Sequence, residues 1–111
     1  MSSRDARKWM GVAVALEKRG LAMKAGYAYA AAVRVSPDDP EPHIALGRFC
    51  QRMRLPVQAG AHLRRAVRLS GRFSSASRFL GEYFESQGTI KQALKLFSAA
   101  NFAGSEPTLE F

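Results

Sequence analysis

Residues 40–73 read PEPHIALGRFCQRMRLPVQAGAHLRRAVRLSGRF, and this stretch sets the register of the whole chain. It can be laid without a gap over residues 6–39 before it and 74–107 after it, a period of 34 residues repeated three times in a chain of 111. The eighth position of the three units is Ala13, Gly47 and Gly81; the twentieth is Ala25, Ala59 and Ala93; the twenty-seventh is Ala32, Ala66 and Ala100. Bulk is just as regular. The twenty-fourth position is Tyr29, Leu63 and Phe97, and the seventh is Val12, Leu46 and Leu80. Small residues at fixed offsets let two antiparallel helices bring their backbones together, and a larger side chain a turn away fills the remaining gap.

Local signals place the helices within each unit. The first helix is expected over about 5–19, ending at Gly20, which suits a left-handed C-terminal cap. The second spans about 21–35 and stops before Ser36 and Pro37. Asp39 is the expected cap of the third, with Pro40 at its first position, where a missing N–H costs little. Pro56 starts the fourth after a short turn at Arg54 and Leu55, and Ser74 or a neighbour starts the fifth, which ends at Gly88. Thr89 followed by Gln92 has the spacing of a capping box, opening a sixth helix that runs to about Phe102. The pattern gives three helical hairpins and no strand.

Composition narrows the class. With 47% hydrophobic residues the chain can bury a core, and its length fits one domain, residues 1–111. The 17 cationic side chains include 12 arginines against 9 acids, so acidic partners are attracted. Residues 40–73 hold seven of the arginines and one acid, a net +6. A single cysteine, Cys50, excludes an internal disulfide, and His43 and His62 supply no zinc-ligand spacing. No run approaches the length of a membrane span. These features point to a soluble, cytoplasmic protein without metal or cofactor.

The spacing, with Trp9 at the fourth position of the first unit, Leu46 and Gly47 in the second, Leu80, Gly81 and Phe84 in the third, and Pro37 at the closing turn of the first, resembles tetratricopeptide repeats. The resemblance implies an all-α, right-handed solenoid of three antiparallel hairpins, with residues 108–111 a tail or the start of a further unit. Departures fall at the fourth position, His43 and Ser77, at the eleventh, Leu16 and Cys50, and at Gly71, which replaces the second closing proline. The resemblance further implies a concave groove lined by the first helix of each hairpin. Carried over by position, its partner-binding residues are Arg7, Met10, Val14, Glu17, Lys18, Glu41, Ile44, Arg48, Gln51, Arg52, Ser75, Arg78, Glu82, Glu85 and Ser86. The family's carboxylate clamp needs asparagine where this chain has Val14, so that mode is not expected.

No catalytic arrangement emerges. His43 and Cys50 lie seven residues apart on one helix, roughly 10 Å, too far for a base and nucleophile. Cys50 reads as a core thiol and His62 as a partly exposed surface residue. The leading expectation is a nonenzymatic adaptor whose arginines, Arg48, Arg52 and Arg78, hold the carboxylates of a peptide or helix. The competing reading of those arginines is pairing with Glu17, Glu82 and Glu85. A small bacterial secretion-system chaperone for a needle or pilus subunit is a second reading of the chain. A third rests on Arg64, Arg65, Arg68 and Arg72, a convex basic patch able to meet nucleic acid. That partner is disfavoured, because the aromatic residues sit at packing positions rather than among the arginines. Ile90, Leu94, Phe97 and Phe111 form a candidate terminal interface at an uncapped C-terminal edge, with three expectations open: the chain is part of a longer array, another copy covers the edge, or a different protein caps it.

Overall fold

The computed structural model describes residues 3–71, 74–88 and 95–97. Five helices follow one another: α1 (Ser3–Lys18), α2 (Ala22–Val35), α3 (Pro40–Arg52), α4 (Pro56–Ser70) and α5 (Ser75–Ser86), and residues 95–97 are again helical. Among the described residues there is no strand. The boundaries agree with the local signals to within two residues, except that most of the sixth expected helix lies outside the described residues. Asp39 caps α3 by accepting a hydrogen bond from the Glu41 backbone N–H at 3.0 Å, with Pro40 at the first position. Gly71 ends α4 at φ +90°, in the left-handed region that glycine adopts without steric cost. Here a glycine turn does the work of the missing proline.

Each hairpin closes on its small residues. A methyl group built on Gly47 of α3 would stand 2.9 Å from Cγ of Leu63 on α4, and one on Gly81 of α5 would stand 2.9 Å from Phe97. The eighth and twenty-fourth positions therefore meet, as the repeat pattern predicts. Neighbouring hairpins join through a second small-to-large register that the sequence reading missed. Gly26 of α2 lies against Phe49 of α3, and Gly60 of α4 against Tyr83 of α5, at 3.2 and 2.9 Å from a built methyl. The twenty-first position of one unit thus receives the tenth of the next. Around these contacts Ala13, Ala25, Tyr29, Leu46, Phe49, Cys50, Leu63 and Leu80 form one core, with the Tyr29 and Phe49 rings 5.1 Å apart.

The stacking order creates two faces. Helix α3 packs on α2 and also touches α1; α5 packs on α4 and also touches α3; α2 and α4 do not meet. The first helices of the hairpins consequently form a continuous inner row, while the second helices stand apart on the outside. An array whose inner row touches and whose outer row is splayed curves around the inner row.

Candidate functional site: the inner face

The inner row brings together most of the residues that the resemblance nominates. On α1, Arg7 and Lys18 are exposed, Met10 is half-buried and Val14 is an exposed apolar side chain. Arg7 and Met10, with Asp39 and Glu41 from the start of α3, line an open depression of about 450 Å³. On α5, Arg78 and Glu82 are exposed. Ile44 is a correction. It is only 7% exposed and packs with Ala66 of α4 and Ala76 of α5, so it belongs to a second core cluster and cannot meet a partner.

The three arginines take different roles. Arg52 is held in a fork: its Nε donates to Glu17 Oε2 at 2.7 Å and its Nη2 to Oε1 at 2.9 Å. The Tyr29 hydroxyl is the third donor to this carboxylate, reaching Oε1 at 3.1 Å. The hydrogen bond from Arg52 pulls the Glu17 pKa below its ordinary value, outweighing the opposite effect of burial. That fork ties α1 to α3 across the inner face and occupies Arg52. Arg48 behaves otherwise. Its guanidinium lies 4.3 Å from the centroid of the Phe79 ring on α5, and it is exposed. Neither Arg48 nor Arg78 forms an ion pair with a described residue. Of the alternative weighed from sequence, pairing with Glu17, Glu82 and Glu85, only the Glu17 pair, with Arg52, forms among the described residues. A contact between Gln51 Nε2 and Ser86 Oγ at 3.5 Å completes the inner row between α3 and α5.

The outer basic set divides. Arg65 and Arg68 are exposed on α4, whereas Arg64 reaches across to α5, with its guanidinium 5.3 Å from the Phe84 ring. Arg72 lies outside the described residues. Of the candidate terminal interface, Phe97 is half-buried against Gly81, a contact within the third unit. Ile90, Leu94 and Phe111 lie outside the described residues.

The remaining reactive groups are explained by packing. Cys50 is buried, and burial pushes its thiol pKa up, away from thiolate chemistry. His43 is also buried. Its Nε2 lies 3.0 Å from the Pro37 carbonyl oxygen, which can only accept, so Nε2 carries the proton. Nδ1 is then a buried acceptor without a hydrogen-bond partner among the described residues. The His62 ring, from α4, sits 5.9 Å away. Burial and then the neighbouring His43 push the His62 pKa down. This histidine pair joins the fourth position of the second unit to its twenty-third, a proximity that only the hairpin geometry reveals. Among the described residues no group of three metal-ligating side chains occurs, and no helix is long and apolar enough to cross a membrane.

No family profile matches the chain, and no curated protein matches it. Solved structures do. The second tetratricopeptide domain of Spaghetti (RPAP3), bound to the HSP90 peptide SRMEEVD, is similar over 88% of this chain and 91% of its own, with a TM-score of 0.75 at 15% identity. Two structures of MamA are similar over 87% and 96% of this chain, with TM-scores of 0.72 and 0.71 at 18% and 16% identity. The chain spans 58% and 62% of those two proteins. With hairpins closed at the eighth and twenty-fourth positions and first helices in an inner row, the chain has the fold of tetratricopeptide-repeat domains, an all-α, right-handed solenoid of helical hairpins.

Proposed function

We propose that the chain is a nonenzymatic protein-binding module whose inner face takes an extended peptide or a helix bearing carboxylates. Arg48 carries this reading: stacked on Phe79, exposed, and without an acid partner among the described residues, its guanidinium is already oriented for a two-point bond to a carboxylate. Arg78, the residue next to Phe79, supplies a second exposed cation on the adjacent helix. Arg52 serves a different purpose, holding α1 and α3 in register through Glu17. Val14 and Met10 give the α1 end of the face an apolar contact. The neighbour bound to an HSP90 peptide supports a peptide ligand in general. The clamp asparagine replaced by Val14 argues against that same peptide here.

The test uses a fluorescent glutamate-rich peptide of about a dozen residues, with a lysine-rich peptide as control, read by anisotropy at physiological salt. Arg48→Glu is expected to weaken the acidic peptide about tenfold or more, since reversing one partner of a close charge pair costs at least that much. Arg65→Glu on the outer face should change it little. Equal losses from the two substitutions would mean general attraction to a cationic protein and would remove the inner-face reading.

A further inference from the structure

We propose that the face of α1 carrying Trp9 and Val12 is a seat for one amphipathic helix of another protein, with small residues along its contact stripe and acidic residues beside it. Comparison of the three repeats shows the seat. At the fourth position His43 and Ser77 are 7% and 0% exposed, but Trp9 is 42% exposed. At the seventh, Leu46 and Leu80 are 8% and 5% exposed, but Val12 is 47% exposed. In the second and third units the second helix of the preceding hairpin packs on the first helix, α2 on α3 and α4 on α5, and His43 is further flanked by His62 of its own hairpin. On α1 the equivalent place is open. Trp9 and Val12 stand one turn apart at i and i+3, and the stripe runs on at i+7 into Leu16, which is half-buried against the core.

The internal interfaces also indicate what fits. The covering helix presents glycine to the large side chain at the tenth position of the next unit, Gly26 to Phe49 and Gly60 to Tyr83, where the first unit has Ala15 and its bulk is carried by Trp9 instead. A tryptophan, larger than the histidine and serine at its position in the other units, calls for equally small residues opposite. Charge selects the flanks. Exposed Lys8 and Arg19 border the stripe, and Arg4, Arg7 and Lys8 line an adjoining open depression of about 500 Å³; Asp5, half-buried, is the acid at its N-terminal end. A second copy of this chain is a poor occupant, because α2 and α4 contain no acidic residue and would bring Lys24, Arg34, Arg65 or Arg68 toward a basic rim. A partner helix with acidic flanks satisfies both the stripe and its border.

Trp9 is the chain's single tryptophan, so its fluorescence reports this face alone. The probe is a helix-forming peptide of about 20 residues, long enough to hold a helix, with an Ala/Gly stripe and glutamate flanks. A partner peptide with lysine flanks is the control. The expected result is a saturable blue shift of Trp9 emission with the glutamate peptide and none with the lysine peptide. Val12→Glu is expected to weaken binding roughly tenfold, the loss of a central apolar contact, while Arg48→Glu on the inner face leaves it unchanged. Four results would overturn the assignment. One is no shift with the glutamate peptide; another is loss through Arg48→Glu but not Val12→Glu, which would seat the peptide on the inner face. A third is a buried-type emission in the dilute protein alone, meaning that the chain covers the face itself. The last is an emission shift with protein concentration accompanied by dimers in sedimentation, meaning that a second copy covers it.

Discussion

A single hydrogen at Gly47 decides how closely α3 and α4 approach. A methyl group there would stand 2.9 Å from Leu63 Cγ and 3.3 Å from the Ala59 carbonyl oxygen, and neither atom is the free end of a flexible side chain. Gly11, by contrast, is exposed on α1 with nothing within 4 Å of a built methyl. The same substitution should therefore have opposite signs. Gly47→Ala is expected to lower stability by about 1–2 kcal/mol, because overpacking outweighs the gain in helix propensity. Gly11→Ala, with propensity alone acting, should raise it by about 1 kcal/mol. Urea denaturation of the two variants checks this, and a stabilised Gly47→Ala would show that the hairpin is looser than its packing indicates. The small eighth position was legible in the sequence because three copies repeat it. The pairing of His43 with His62 was not, since it depends on the angle at which two helices cross.

At the scale of an element, the chain's punctuation accounts for most helix ends. Asp39 and Pro40 start α3 as their chemistry dictates, and Asp39→Ala is expected to cost about 1 kcal/mol by leaving the Glu41 N–H without its acceptor. Thermal unfolding measures this, with Asp39→Asn, which keeps the acceptor, as the control that should retain most of the stability. Ser74 shows the limit of such reading. It stands at the start of α5, but its hydroxyl donates to the Gly71 carbonyl oxygen at 2.6 Å and makes no capping bond to the helix. Arg54 is another position that sequence does not reveal: it takes φ +60° in the turn between α3 and α4, where glycine would be the unstrained choice. Short polar side chains have several backbone partners within reach, and the tertiary path of the turn chooses among them.

Across the whole molecule, the fork between Glu17 and Arg52 spans two repeats and fixes their relative setting. Because Glu17 titrates below its ordinary value of 4.5 when folded, its contribution is fully present above that value and is lost as pH falls through the lower, folded one. Arg52→Met is expected to cost about 1 kcal/mol or less near neutrality, since the pair is partly solvated. It should also flatten the fall in stability on the acid side of pH 4.5; an unchanged acid limb would assign that fall to other carboxylates. By itself the sequence determined the period, the hairpins and the small-to-large contact inside each hairpin, because these depend on spacing along one chain and recur three times. Only the tertiary structure decided which arginine is committed and which is open, placed Ile44 in the core, and left Trp9 and Val12 uncovered. Those outcomes depend on the neighbour that a helix meets. Equivalent positions in a repeat share a sequence pattern, but the first unit has no preceding hairpin against it among the described residues.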